Sequence, residues 1–264
     1  MSRPEYTAPP EVFYNESESR KYTSSSRIQH IQASMTLRAL DLLALPPNQF
    51  ILDIGCGSGL SGEILTKEGS NVWIGMDISP SMLATALDRD VEGDLFLADM
   101  GNGVPFRAGS FDAVISISAI QWLCNADTSA ADPKRRLARF FDSLYSAVRR
   151  GGKVACQFYP KNDEQTSSIL AAAKSAGFSG GLVVDGEESR KNRKYYLILT
   201  SGSVGADDIN LDGVTVDKQK AVHRKKGAET RKDYIKRKKD VMRKRGKLVA
   251  LDSKFTGRKR KTKF

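Results

Sequence analysis

The chain has 264 residues, 40% hydrophobic and 28% charged, which suits one large domain with a tail or two modest domains. No run of 18 apolar residues exists and the first residues are polar and acidic, so we expect a protein of the cytosol or nucleus without a membrane span. The charge is uneven, with 21 basic and 23 acidic residues over 1–202 against 21 and 8 over 203–264, which indicates two regions with different roles.

The chain starts with a polar segment, residues 1–27, which precedes a predicted helix. Residues 28–45 carry apolar side chains at helical spacing, and the pattern ends before Pro46 and Pro47, where a helix cannot continue. This helix leads into the first strand of a predicted folded domain over residues 28–202.

Within this domain, strand-like runs alternate with helical patterns. Several runs are apolar over four to six residues, as in strands buried on both faces of a parallel sheet. The predicted strands are residues 50–54, 71–77, 94–99, 111–118, 153–159, 182–185 and 194–200. The predicted helices between them are residues 58–69, 79–90, 133–150 and 163–177. The alternation predicts an α/β fold, a doubly wound and mostly parallel seven-stranded sheet.

Capping residues mark several of these helix ends. Ser79 followed by Pro80 is a favourable helix start, because serine caps the first turn and proline fits its first position. Gly69, Gly151 and Gly177 occupy positions expected for glycines that end helices.

The region over residues 203–264 is predicted to be a linker and a basic tail. Residues 218–264 hold 21 basic and 4 acidic residues and too few apolar ones for a core, so we expect disorder or partial helix. Such a tail would bind RNA with steep salt dependence and little sequence preference. A nuclear-localisation signal within residues 257–263 is the alternative, and one stretch can serve both purposes.

A glycine-rich loop follows the first predicted strand. Residues 55–59 read GCGSG and lead into a helix, at the carboxyl edge of the sheet where α/β proteins bind ligands. The second strand ends at Asp77, the third at Asp99-Met100 and the fourth at Ser116. Four strand ends therefore direct polar or adaptable groups towards one crevice, and a carboxylate at Asp77 can accept from ribose hydroxyls.

The loop resembles the first motif of class I methyltransferases that use S-adenosylmethionine. A dinucleotide site would have a small residue where Leu60 stands, whereas D-I-G-C-G-S-G from Asp53 fits the methyltransferase pattern. For any single aspartate, a helix cap is the alternative. The resemblance implies that Asp53 anchors the loop or the methionine ammonium, that Asp77 holds the ribose, and that these residues also bind the cofactor: Gly55, Gly57, Gly59, Asp99, Met100 and Ser116.

The residues after the fourth strand constrain the methyl acceptor. Residues 116–123, SISAIQWL, lack the Pro-Pro-aromatic pattern of amino-nitrogen methyltransferases, and Cys124 follows leucine instead of the proline typical of cytosine C5 enzymes. Guanine N7 has a free lone pair and no proton to lose, so orientation alone would suffice and we predict no catalytic general base. Gln121 and Trp122 could contact an extruded base, although Trp122 could also be a core residue.

Cysteine and histidine usage argues against a metal site. Cys56, Cys124 and Cys156 are odd in number and widely spaced, which fits neither a disulfide framework nor a metal clip. His30 and His223 lie far from any cysteine in the sequence. We therefore expect no metal.

Five stretches together resemble the eukaryotic methyltransferases that modify guanine N7 in small-subunit ribosomal RNA. They are residues 13–28 (FYNESESRKYTSSSRI), 51–63 (ILDIGCGSGLSGE), 75–83 (GMDISPSML), 105–127 (PFRAGSFDAVISISAIQWLCNAD) and the basic tail. The resemblance implies a guanine of that RNA as substrate, a role in subunit maturation, and residence in nucleus and cytoplasm. It also implies a small zinc-binding activator protein as partner.

The N-terminal segment would then cover the crevice. We predict that Tyr22 and Arg27 contact the cofactor and that Tyr14 contacts the substrate. For each residue singly, an exposed polar arm is the alternative.

The predicted third strand offers a place for the partner. In the usual strand order of this fold it lies at the sheet edge, where exposed Leu95, Phe96 and Leu97 would be a liability unless another chain paired with them.

Two other functions stay open: a small-molecule or protein methyltransferase of the same fold, and a ribosome assembly factor whose catalysis is dispensable.

Overall fold

The computed structural model describes residues 4–68, 70–125, 132–186 and 193–202, and parts of the segment 235–252. These residues fall in two units, 1–216 and 217–264. In the second unit, Lys239 and Arg243 each form an ion pair with Asp252. The predicted linker, most of the basic tail and Gly69 lie outside the described residues.

In the described part of the first unit, seven strands form one sheet, as the sequence predicts. They are β1 (Phe50–Ile54), β2 (Val72–Asp77), β3 (Asp94–Leu97), β4 (Phe111–Ile117), β5 (Val148–Phe158), β6 (Ser179–Asp185) and β7 (Lys194–Thr200). Their order is β3-β2-β1-β4-β5-β7-β6, with β7 antiparallel to both of its neighbours. Sequence order reverses between β1 and β4, so a ligand crevice is expected at their carboxyl ends.

Helices flank this sheet on both faces. They are α1 (Pro10–Phe13), α2 (Glu16–Ser24), α3 (Ser26–Leu43), α4 (Leu60–Lys67), α5 (Pro80–Asp88), α6 (Pro133–Ala147) and α7 (Asp163–Ser175). The sheet has a hydrophobic core on each face, because successive side chains of β1 point to opposite faces. Ile51 packs with residues of α3 and α4, whereas Leu52 packs with residues of α6 and α7. Among the described helices, none is long and apolar enough to cross a bilayer.

The sequence prediction was wrong at the end of α6. The helix ends at Ala147, and β5 begins at Val148, which pairs with Phe111. Gly151 does not cap the helix but lies within β5 with a φ of 77°, where the pairing with β4 shifts register. A glycine at positive φ permits such a bulge, so the strand could extend back over residues that look helical in the sequence.

Candidate functional site

A cavity of about 360 Å³ lies at the carboxyl ends of β1, β2 and β4. Residues from the N-terminal segment, the glycine loop and the start of α6 complete its walls. The cavity lies at the point between β1 and β4 where the strand order reverses, as expected for a ligand site of this fold. Nine of the residues predicted to bind cofactor or substrate line it: Tyr14, Tyr22, Gly55, Gly57, Asp77, Asp99, Met100, Gln121 and Trp122.

The glycine loop brings bare backbone to the cavity. Gly55 N donates to Met76 O at 2.7 Å, which ties the loop to the end of β2. Gly55 and Gly57 have φ values of 75° and 53°, a conformation that L side chains rarely adopt. A Cβ on Gly55 would overlap the Cβ of Ala119, so this position has no room for a side chain.

Asp77 is held by two backbone amides at the end of β2. Its Oδ2 accepts from Gly57 N and its Oδ1 accepts from Ser79 N, each at 2.8 Å. Burial raises the pKa of this carboxyl, and the two hydrogen bonds oppose that shift. Each oxygen keeps a lone pair for a further donor, so the carboxylate can accept two hydroxyl groups of a ribose.

Asp99 is oriented by Arg136, which the sequence analysis missed. Arg136 Nη2 donates to Asp99 Oδ1 at 3.0 Å, and Gly101 N donates to the same oxygen at 2.7 Å. Arg136 lies on α6 four residues before the buried Phe140, next to the apolar stripe of the helix. An arginine at the border of such a stripe was the available signal, although its partner could not be read from the sequence.

The N-terminal segment forms an aromatic wall. The Tyr14 ring lies 5.8 Å from Tyr22 and 6.0 Å from Trp122, centroid to centroid. Ser79 Oγ donates to Tyr14 O at 2.8 Å, which joins this segment to the loop that follows Asp77. Burial raises the pKa of both tyrosines, so they stay neutral phenols at physiological pH.

Gln121 has an unsatisfied acceptor. Its Nε2 donates to Ser118 O at 2.7 Å, which fixes the orientation of the amide because a carbonyl can only accept. Its Oε1 is buried and has no hydrogen-bond partner among the described residues. Ser118, at a φ of 58°, is held in turn by Gln157. Buried acceptors normally have a hydrogen-bond partner, so this oxygen at the cavity wall is available to a donor group of a ligand.

Four residues predicted to bind the cofactor do not line the cavity. Gly59 instead faces Val91, Ser116 is buried within β4, and Arg27 is exposed on α3. Asp53 is fully buried and accepts from Ser61 Oγ at 2.5 Å, while Ser61 itself lines the cavity. Their roles towards the cofactor stay predictions.

Asp53 makes the stability of the fold depend on pH. Burial raises its pKa from 3.8 to about 7, so the folded protein binds this proton more tightly than the unfolded chain. The free energy of unfolding should therefore fall as the pH rises between about 4 and about 7. Replacing Asp53 by asparagine should flatten that slope by up to about 1.4 kcal/mol per pH unit. Urea unfolding at several pH values checks this, and parallel curves for the two proteins would contradict it.

Other cavity residues gave no signal in the sequence. Gln32, Met35 and Tyr159 reach the cavity from α3 and from the end of β5 only through the packing of the sheet. In the part of the chain that the structure describes, no three His, Cys, Asp or Glu side chains lie close enough to hold a metal ion.

Solved structures and family comparisons agree with this geometry. Residues 52–156 match the family described as "Methyltransferase domain". The methyltransferase from Haloferax volcanii, solved in complex with the Trm112 methyltransferase activator, is 17% identical with a TM-score of 0.55, over 70% of this chain and 98% of that one. A TehB-like methyltransferase from Corynebacterium glutamicum is 17% identical with a TM-score of 0.53, over 71% and 100%. The fold and the domain match are those of a class I methyltransferase.

More specific matches cover the whole chain. The 18S rRNA (guanine(1575)-N(7))-methyltransferase of Saccharomyces cerevisiae is 65% identical over 100% of both chains. The 18S rRNA (guanine-N(7))-methyltransferase of Mus musculus is 50% identical over 99% of this chain and 98% of that one. Residues 178–262 match the family described as "Methyltransferase involved in Williams-Beuren syndrome". The chain belongs to the 18S rRNA (guanine-N7)-methyltransferase family.

Proposed function

We propose that the protein transfers a methyl group from S-adenosylmethionine to N7 of a guanine in 18S rRNA and assists maturation of the small subunit. The observation that carries the proposal is the cavity itself, which is lined by the carboxylate of Asp77 together with the rings of Tyr14 and Trp122 and the amide of Gln121. Full-length relatives named for this reaction support it, and they do not favour a small-molecule or protein acceptor.

The cofactor side of the site fits a nucleoside with an amino-acid tail. Asp77 would accept from the ribose hydroxyls, and the free oxygen of Asp99 would accept from the adenine amino group. Gly55 and Gly57 would let the cofactor approach bare backbone. When bound, S-adenosylmethionine supplies an electrophilic methyl group on its sulfonium.

The substrate side would hold a guanine extruded from the RNA. Tyr14 and Trp122 offer ring faces for stacking, and Gln121 Oε1 would accept from the N1–H or amino group of guanine. These contacts would hold N7 in line with the methyl group. No proton has to leave N7, so orientation would provide most of the rate gain.

Product mapping tests this function. The purified protein, with its activator, is incubated with labelled S-adenosylmethionine and small-subunit RNA, and the RNA is digested to nucleosides. Label in 7-methylguanosine at one position is the expected result. Label in another nucleoside, or none in RNA, would contradict the proposal.

We also propose that a small zinc-binding activator of the Trm112 kind pairs with the edge of the sheet. Strand β3 pairs only with β2 among the described strands, so its outer edge is open. Phe96 and Leu97 on it are 42% and 57% exposed. A strand from the partner would form hydrogen bonds with the unpaired backbone N–H and C=O groups of β3 and would cover these side chains.

Replacing Phe96 and Leu97 by glutamate should abolish this pairing, because two charges would have to be buried in the interface. We expect loss of the activator in a co-purification and a lower soluble yield on co-expression. Leu37→Glu is the control, since Leu37 is 44% exposed on α3, away from β3. If the activator co-purifies with the double variant as well as with the unmodified protein, it binds at a surface other than the β3 edge.

We further propose residence in the nucleus and the cytoplasm. The basic run over residues 257–263 supports nuclear import, and residues 218–264 support binding to RNA by charge. Imaging of the chain with and without residues 257–263 tests the first part.

A further inference from the structure

Helix α6 presents two unlike faces. Its apolar stripe enters the core through Leu137, Phe140 and Phe141, and the opposite face is exposed and carries Arg135 and Arg139. These two arginines are four residues apart, so they lie on the same side of the helix about 6 Å apart along its axis.

Neither arginine forms a direct ion pair in the part of the chain that the structure describes. Among the described residues, neither guanidinium group has a hydrogen-bond or ion-pair partner, whereas Arg38 and Arg89 each lie beside a carboxylate. Asp132 and Asp142 lie three residues before Arg135 and three residues after Arg139 on the same face of α6, and neither carboxylate forms an ion pair with the two arginines. An arginine pair left free at a surface is available to an anionic partner.

The arginine pair adjoins the cavity mouth. Arg136, between them in sequence, lines the cavity and pairs with Asp99. Helix α6 also packs against the turn Ile120–Cys124, which carries Gln121 and Trp122, so the exposed pair lies outward from the side that would hold the acceptor base. A nucleotide that places its base in the cavity must bring its own phosphates across this side of the cavity mouth.

We propose that Arg135 and Arg139 bind the RNA phosphates that flank the methylated guanine. The proposal rests on the proposed function, because it assumes an RNA acceptor. Guanidinium groups bind phosphate oxygens in a bidentate manner, which fixes position as well as adding affinity. The pair would thus set the register of the RNA at the cavity, whereas the basic tail adds affinity without register.

The test compares two double variants of the full-length protein bound to its activator. The first is Arg135→Gln with Arg139→Gln. The control is Arg107→Gln with Lys174→Gln, which removes the same charge from two exposed residues near the amino ends of β4 and β6. The probe is a short single-stranded RNA that contains the target guanine. Both RNA affinity against salt and methylation kinetics are measured.

The first variant should lower kcat/KM for this RNA by about tenfold and reduce the salt slope of binding by about 1.4, the value for two single-strand phosphates. The control should change neither, and arginine-to-lysine changes at both positions should restore most of the slope. The affinity for S-adenosylmethionine should stay within about twofold, because neither arginine lines the cavity.

An unchanged salt slope, or an equal loss in the control, would overturn the proposal. Loss of the activator complex without a change in slope would assign the pair to a protein partner and overturn it as well. Failure of the proposed function is distinguishable, because the unmodified protein would then form no 7-methylguanosine while its salt slope could still be measured.

Discussion

Replacing Asp77 by asparagine is expected to weaken the binding of S-adenosylmethionine by at least about 100-fold. The two carboxylate oxygens are fixed by the amides of Gly57 and Ser79, and both face a cofactor ribose in the proposed complex. Asparagine removes the charge and puts an NH2 group where one backbone N–H needs an acceptor. The hydrogen bonds from two ribose hydroxyls to the charged carboxylate would contribute roughly 1.5–3 kcal/mol each. Weakening both of them accounts for a loss of this size.

Calorimetry on the protein bound to its activator measures this loss. Asp88→Asn is the matched control, since Asp88 is exposed at the end of α5 and the change removes the same charge. It should bind the cofactor as the unmodified protein does. Equal dissociation constants for the two variants would show that Asp77 does not hold the ribose.

The same variant separates catalysis from assembly in cells. If small subunits mature normally while 18S rRNA lacks 7-methylguanosine, binding to the pre-ribosome is the essential contribution. If maturation fails together with methylation, although the variant is folded and bound to its activator, cofactor binding is required.

Replacing Gly55 by alanine should have the second large effect. The added Cβ would overlap Ala119, which lies at the start of the turn after β4, and the φ of 75° disfavours any L side chain. We expect the free energy of unfolding to fall by about 2–4 kcal/mol, from overpacking and backbone strain together. Cofactor affinity should fall as well, because the loop must shift away from its hydrogen bond with Met76.

Thermal unfolding with and without S-adenosylmethionine measures both effects. Gly181→Ala is the control, because a Cβ on Gly181 has no heavy atom within 4 Å. It should change the free energy of unfolding by no more than about 0.5 kcal/mol. Equal stability of the two variants would mean that the loop tolerates a side chain at position 55.

Local sequence signals predicted most of the sheet. Strands β1 and β7 have the predicted bounds, since apolar runs flanked by polar or glycine residues define them without help from the rest of the fold. The N-terminal helices α1 and α2 were not predicted, because their segment is polar and its order comes from contacts such as Ser79 with the Tyr14 carbonyl. Local pattern alone does not contain such long-range contacts.

Some residues of the candidate site could likewise be predicted from local sequence, and others could not. The glycine loop and Asp77 follow directly from their strands, so their place in the fold could be predicted. The pairing of Arg136 with Asp99 could not be, because it depends on how α6 packs beside the turn after β3. Gly62 gave no signal either, although a Cβ there would overlap the Trp73 ring against which α4 packs.

The hydroxyl of Ser79 has two roles, since it accepts from Met82 N at the start of α5 and donates to the Tyr14 carbonyl. Ser79 also donates its amide to Asp77. The attachment of the N-terminal segment and the position of the Asp77 carboxylate therefore depend on one residue. Loss of this hydroxyl would therefore weaken the start of α5 and the attachment of the N-terminal segment together.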